Sequence, residues 1–318
     1  MDVRPPGRAQ TFRQRLKAGD DVAYLVTLIA ATSIVVITAL LVWELWRNSA
    51  ASRHQFGWGF LTGTTWDAVA GNFGALPFIY GTVVTSAVSL IIGIPLGVGA
   101  AIFLAELAPR RISSGLTFLI ELLAAVPSVI FGVLGMYVLA PILQDHLEGP
   151  LRSALGWTPL FNGPYYANAS LLTAGIVLSL MIIPFIISIS REVILAVPND
   201  QREAALALGA TRWETTWNVV IPFAYKGIAG SIFLALARAL GETMAVTMVI
   251  GNVTRINPSL FAPGYSIAAV IANEFAEATG DVYQGALIEL GLVLFALTIV
   301  INGAARILVA STATEGGA

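Results

Sequence analysis

Six stretches of this chain run for about twenty residues or more with almost no charge, and that feature excludes most folds at once. They lie at about 22–46, 80–105, 116–142, 168–190, 228–250 and 284–308. A helix rises ~1.5 Å per residue and a bilayer core is ~30 Å thick, so each stretch is long enough to cross as a tilted helix. In hydrocarbon every backbone N–H and C=O must be paired within the structure, which leaves helices or closed barrels. The two-residue alternation of barrel strands is missing, so the expectation is helical. Composition agrees: 57% of the 318 residues are hydrophobic and 11% are charged, against roughly 25% charged in soluble domains. The fold class is an all-α membrane protein with six transmembrane helices.

The sparse charges orient it. Twelve Lys and Arg residues fall in the N-terminal tail, in the connections after the second and fourth spans, and at the end of the sixth; four fall in the alternate connections. The positive-inside rule then puts both termini in the cytoplasm. Residues 1–21 form a basic tail, 22–46 the first transmembrane helix, 47–79 an external connection, 80–308 the core with five further helices, and 309–318 a second tail. The first span exceeds the 7–15 apolar residues of a signal-peptide core, and Trp43 and Trp46 sit where an uncleaved helix meets the interface. There is no cysteine, and His54 and His146 stand in separate connections, so neither disulfides nor a metal site is expected. No nucleic-acid partner is expected either.

Pro95, Pro127 and Pro184 fall inside apolar spans, where proline kinks a helix and frees carbonyls. Gly93 and Gly97, in GIPLG, allow another helix to approach closely. Hydroxyls at Thr82, Thr85, Ser86 and Ser89 are read as hydrogen-bonding across helices in preference to touching a substrate. The external connections are aromatic and rich in Gly and Pro (FGWGFLTGTTW, LGWTPLFNGPYY), which suits interfacial anchoring more than substrate contact.

The longest inward connection, 191–227, reads REVILAVPNDQREAALALGATRWETTWNVVIPFAYKG. Asp200 with Glu203, and Thr211 with Glu214, have capping-box spacing, and Gly209 between them is a natural left-handed stop. The expectation is helix, glycine turn, helix, with Pro222 marking the return to the membrane. Its apolar residues exceed what a solvated loop needs, so patterning leaves two readings: a hairpin folded back on the bundle, or a docking site for a cytoplasmic protein.

Glu203-Ala204-Ala205, then Gly209, then Val219, Ile221 and Pro222 resemble the EAA loop of permeases in binding-protein-dependent ABC importers, with Val and Ile at two positions where the pattern has Ile and Leu. The resemblance implies the type I importer permease fold, with this loop fitting a groove on an ATPase subunit. FGWGFLTGTTWD (56–67), 76–106, ELLAAVPSVIFGVLG (121–135) and ARALGETMAV (237–246) resemble the phosphate-importing branch of that family, over roughly 56–308. That branch implies a PstA-like paralogous permease subunit, two PstB-like ATPase subunits, an extracytoplasmic phosphate-binding protein, and a place in the bacterial plasma membrane. Independently, the two lysines, Lys17 and Lys226, lie in no G-x-x-x-x-G-K-[ST] arrangement. The chain is expected to be a transport subunit and not itself an enzyme, with no cofactor of its own and ATP and magnesium bound by the partner.

Arg238 and Glu242 stand four apart inside the fifth span, which places Arg238 near the bilayer centre. A central charge costs about 2.5–3.5 kcal/mol, and the spacing puts both groups on one helix face where each neutralises the other. A structural ion pair is one reading. The other is a guanidinium lining an anion pathway, its fork matching phosphate oxygens; the resemblance implies the second. Glu121 and Ser128 are weaker pathway residues, Glu121 alternatively snorkelling to the interface, and Glu289 is read as an interfacial or interhelical contact. Two functions compete with phosphate import: a proton-coupled anion carrier using Glu121, Glu242 and Glu289 as a relay, and a permease for another oxyanion.

Overall fold

The computed structural model describes residues 20–163 and 169–315, so most of the basic tail and the last three residues lie outside it. Six helical segments are long and apolar enough to cross a membrane. In chain order the elements are α1 (Asp20–Asn48), α2 (Ala50–Phe56), a hairpin of β1 (Trp66–Asp67) and β2 (Asn72–Phe73), and α3 (Leu76–Leu107). Then come α4 (Arg110–Ala124), α5 (Ser128–Leu155), α6 (Leu171–Leu195), α7 (Asn199–Ala207), α8 (Arg212–Leu240), α9 (Met244–Val249), α10 (Ile267–Glu274) and α11 (Asp281–Glu315).

α6 is the central helix. It carries Leu178, Ile182 and Ile186 at four-residue spacing, all essentially solvent-free, and buries more of its length than any other span. Its closest neighbour is α3, and the GIPLG glycines explain the closeness. A Cβ on Gly93 would stand 2.9 Å from Ile182 Cδ1, and one on Gly97 would stand 2.9 Å from Ile186 Cβ. The two glycines thus act as a small-residue seam one turn apart. Pro95 and Pro184 lie within the facing helices α3 and α6.

Two spans differ from the expected bounds, each for a local reason. The third runs 128–155 in place of 116–142. Val126 precedes proline and Pro127 adopts ψ 139°, so the chain extends there and the helix restarts at Ser128. Pro127 therefore separates α4 from α5 where the sequence suggested a kink within one helix. The fifth runs 212–240 in place of 228–250, because α8 stops at Leu240, Gly241 follows as its C-cap, and α9 starts at Met244.

The connection 47–79 folds as an aromatic cap. Trp66 meets Phe78 edge-on at 4.8 Å and Phe73 stacks on Tyr283 at 5.1 Å. Glu274 holds the cap to α10 by accepting from Trp66 Nε1 at 2.8 Å and from the Tyr283 hydroxyl at 2.7 Å. Burial pushes the Tyr265 phenol up to about 12, so it stays a neutral hydroxyl that accepts from Asn273 Nδ2. Much of the aromatic content is therefore core; Trp58 and Trp157, 86% and 82% exposed, keep the anchoring geometry.

The hydroxyls of α3 behave differently from expectation. Thr82, Thr85 and Ser89 donate to carbonyls of their own helix, at 2.8 Å each. Only Thr82 also reaches across, accepting from Ile267 N at 2.9 Å at the start of α10.

Candidate functional site

Arg238 occupies the last turn of α8 and Glu242 lies just beyond its end. The i, i+4 argument needs a continuous helix, and Gly241 breaks it. Among the described residues no ion pair joins the two: Arg238 is exposed, and the half-buried Glu242 turns forward to accept from Ala245 N at 3.3 Å in the first turn of α9. The pair, which the spacing allows, is thus open. Arg238 stands about 39 Å along α8 from Arg212 by rise per residue. A cation there complements the free carbonyls at the helix C-terminus.

Ser128 opens α5, half-buried, directly after the Pro127 break. α5 packs on α9 through glycine: a Cβ on Gly132 would lie 2.6 Å from Met248 Sδ and 3.1 Å from Ala245 Cα. One on Gly135 would lie 2.9 Å from Val249 Cγ1. Residue numbers climb together along this contact, so α5 and α9 run parallel and both restart from breaks at the same end. The structure thereby brings the segment of Ser128 against the segment following Glu242. Glu121 is not part of that arrangement. It faces a separate cleft with Arg110 and Arg191, between the end of α3, α4 and the end of α6. Glu289 is elsewhere again, buried in an apolar cavity of about 510 Å³ with Trp46 and Arg53. Among the described residues no hydrogen bond links Glu121, Glu242 and Glu289.

The connection 191–227 forms a helix, a glycine turn and a second helix. Gly209 has φ +89°, the left-handed conformation in which a side chain is strained. Thr211 and Glu214 form a capping box, with Thr211 N donating to Glu214 Oε2 at 2.8 Å and Glu214 N to Thr211 Oγ1 at 3.2 Å. The other expected box, Asp200 with Glu203, does not form; Pro198 takes the N-cap position and leaves those carboxylates free. Pro222 stands at the start of the α-helical stretch that follows a π turn at Thr216–Val220, with α8 continuous from Arg212. Glu203, Ala204 and Gly209 are exposed, Ala205 is half-buried, and Leu208 is 90% exposed. Trp213 and Trp217 stack at 5.8 Å and are each more than half exposed. Trp213 and Trp217 line a cavity with Ile94, Val98 and Phe103 of α3, so this part of the hairpin lies against the bundle while Leu208 stands clear of it.

Sequence reasoning missed what holds α7 in place. Arg202 donates from Nη2 to Glu106 Oε1 at 2.8 Å, and also to the carbonyls of Ile194 (2.8 Å) and Val197. The pair is largely buried, with side chains 16% and 12% exposed. One side chain thus ties α7 to the end of α3 and to the end of α6. The partners are 96 residues apart; Arg202 next to Glu203 inside an exposed helix was the available signal, and it counted only as an inward charge.

Helix order, broken spans and an exposed helical hairpin define an importer-permease fold. A family model for "Binding-protein-dependent transport system inner membrane component" matches residues 93–314. The permease chain of a bacterial alginate ABC transporter superposes with a TM-score of 0.60 at 16% identity, over 94% of this chain and 98% of that one. More particularly, "Phosphate transport system permease protein PstC" of Mesorhizobium japonicum is 46% identical over 92% of this chain and 90% of its own length. The protein of that name from Xylella fastidiosa is 43% identical over 92% and 91%. The chain belongs to the family of binding-protein-dependent inner-membrane transport components, and within it to the PstC permeases: a multi-pass bacterial plasma-membrane protein.

Proposed function

We propose that the chain is the membrane permease subunit of an ATP-driven importer of inorganic phosphate, forming half of the translocation pathway. The observation that carries this is Arg238: a permanently charged guanidinium at a break in an apolar helix, exposed and without an acidic partner among the described residues. Facing lipid there would cost on the order of 3 kcal/mol, so the side chain belongs against water or a second protein surface. The resemblance and the names of the relatives favour a phosphate path between this chain and a PstA-like permease subunit. In that path Arg238 offsets the anion's charge, and Glu242, held to Ala245 N at rest, competes for Arg238 and speeds release.

Ser128, at the restart of α5, lies close enough in sequence to the packed α5–α9 contact to contribute a hydroxyl to the same path. Glu203, Ala204, Ala205 and Gly209, with Pro222 on the following helix, form the coupling surface for one of two PstB-like ATPase subunits, and both termini lie on that cytoplasmic side. ATP and magnesium are held by those subunits; this chain carries no cofactor and makes or breaks no covalent bond. An extracytoplasmic phosphate-binding protein delivers the anion at the opposite end.

The test is reconstitution of the chain with these partners in proteoliposomes, followed by uptake of labelled phosphate in competition with sulfate and molybdate. ATP-dependent phosphate uptake that survives a protonophore and resists excess sulfate supports the reading. Uptake that collapses with the protonophore and ignores ATP supports a proton-coupled carrier. Stronger competition by sulfate or molybdate supports another oxyanion.

A further inference from the structure

The cleft that holds Glu121 is lined by charged and hydroxyl side chains, unlike the apolar cavities beside Glu289 and beside Trp213. It measures about 640 Å³ and lies at the end of the molecule that carries the α6–α7 connection, walled by Leu104, Phe118 and Leu195. Two arginines converge on it. Arg110, the first residue of α4, is exposed and makes no side-chain hydrogen bond or ion pair among the described residues. Arg191, near the end of α6, gives Nη1 to Glu192 at 2.8 Å, while its Nε is shielded from solvent and unpartnered. Thr117 Oγ1 is likewise shielded and unpartnered, and Ser114 adds an exposed hydroxyl on the same helix. Glu121, one turn beyond Thr117, is the only carboxylate lining the cleft.

That set matches one kind of ligand. Two guanidiniums supply forked donors to a tetrahedral oxyanion, and the hydroxyls add donors on α4. Uncompensated shielded polar atoms are uncommon in native structures and invite a partner; an anion seated between the arginines would supply the acceptor that Arg191 Nε and Thr117 Oγ1 lack. A carboxylate in an anion site repels most anions, but it accepts a hydrogen bond from one that keeps a proton near neutral pH. Inorganic phosphate keeps one. Sulfate does not, and neither does the phosphodiester of a glycerophospholipid.

We propose that this cleft is a second, exit-side site for inorganic phosphate, formed by Arg110, Arg191, Thr117 and Glu121 and distinct from the Arg238 site. The proposal rests on the phosphate reading above and adds a place where the delivered anion is held after passage. Occupancy of such a site follows the phosphate concentration on the coupling-loop side of the membrane.

The test is equilibrium binding of [33P]phosphate to the assembled importer, with its partner permease and ATPase subunits, in nanodiscs without binding protein or ATP. Saturable binding is expected. Arg110→Gln should weaken it at least tenfold and Thr117→Val severalfold; copurification of the ATPase subunit reports assembly of every variant. Sulfate should compete at least tenfold less well than phosphate, and Glu121→Gln should erase that preference. Binding unchanged by both Arg110→Gln and Thr117→Val overturns the proposal, as does equal competition by sulfate in the unmodified complex. Loss of phosphate binding when phosphatidylglycerol replaces phosphatidylcholine in the nanodiscs also overturns it, by assigning the cleft to a lipid headgroup. Because this readout needs neither ATP nor transport, absence of ATP-driven phosphate uptake would count against the proposed function without deciding the fate of this site.

Discussion

Arg238 gains part of its footing from its own helix: it sits among the last carbonyls of α8, where a cation is worth about 0.3–1 kcal/mol. Its charge alone is then not what transport demands, because lysine would serve the helix end equally well. The planar fork is what phosphate recognises. Arg238→Lys is therefore expected to keep the complex as stable as wild type and to lower the rate of phosphate uptake at least tenfold, read by labelled uptake beside a thermal melt. Glu242 divides differently. Its Oε1 accepts from Ala245 N at the start of α9, a bond that glutamine also makes and alanine does not. Glu242→Ala should cost about 0.5–2 kcal/mol of stability, as loss of a helix-start acceptor does. Glu242→Gln should cost little and still slow release of the anion; a melt and single-turnover efflux separate the two effects.

α7 is gripped by one residue. The Arg202–Glu106 pair is largely buried, and removing one partner of such a pair leaves an uncompensated charge at a cost of about 3–5 kcal/mol. Glu106→Ala is expected to loosen α7 from α3, so that ATP hydrolysis continues while uptake per ATP falls severalfold. Pairing Glu106→Arg with Arg202→Glu should restore only part of the ratio, because the carbonyls of Ile194 and Val197 lose their donor. The hydrolysis-to-uptake ratio is the readout, and a swap as poor as the single change would deny the ion pair its share. Much of this element was legible in the sequence, because its devices are local: Gly209 needs φ > 0, and Thr211 and Glu214 are three residues apart. The clasp was not, since nothing in the order of residues couples position 202 to position 106. Local signals also misled where a break was hidden inside an apolar run. Residues 116–142 stay hydrophobic through Pro127, and 228–250 stay hydrophobic through Gly241, so composition merged what backbone geometry divides.

Across the whole molecule the sequence conveyed how many helices cross and which face of α3 lets a neighbour approach, though not that the neighbour is α6, because span length and a glycine seam are properties of single segments. It conveyed less of the candidate site, whose members come from α4, α5, α8 and the break between α8 and α9 and are brought together or kept apart by the two breaks. Orientation is directly testable because the chain has no cysteine. Leu208→Cys in the exposed hairpin should react with an impermeant maleimide only in inverted vesicles, and Val69→Cys, 99% exposed beside the external hairpin, only in right-side-out ones; the reverse pattern would invert the topology. The central claim is that Arg238 carries the anion through the membrane half of an ATP-driven importer. The most direct measurement is phosphate uptake by the reconstituted complex bearing Arg238→Gln, with its ATPase activity recorded on the same vesicles. The account predicts an assembled, ATP-hydrolysing complex that imports no phosphate above background; uptake at the unmodified rate would contradict it.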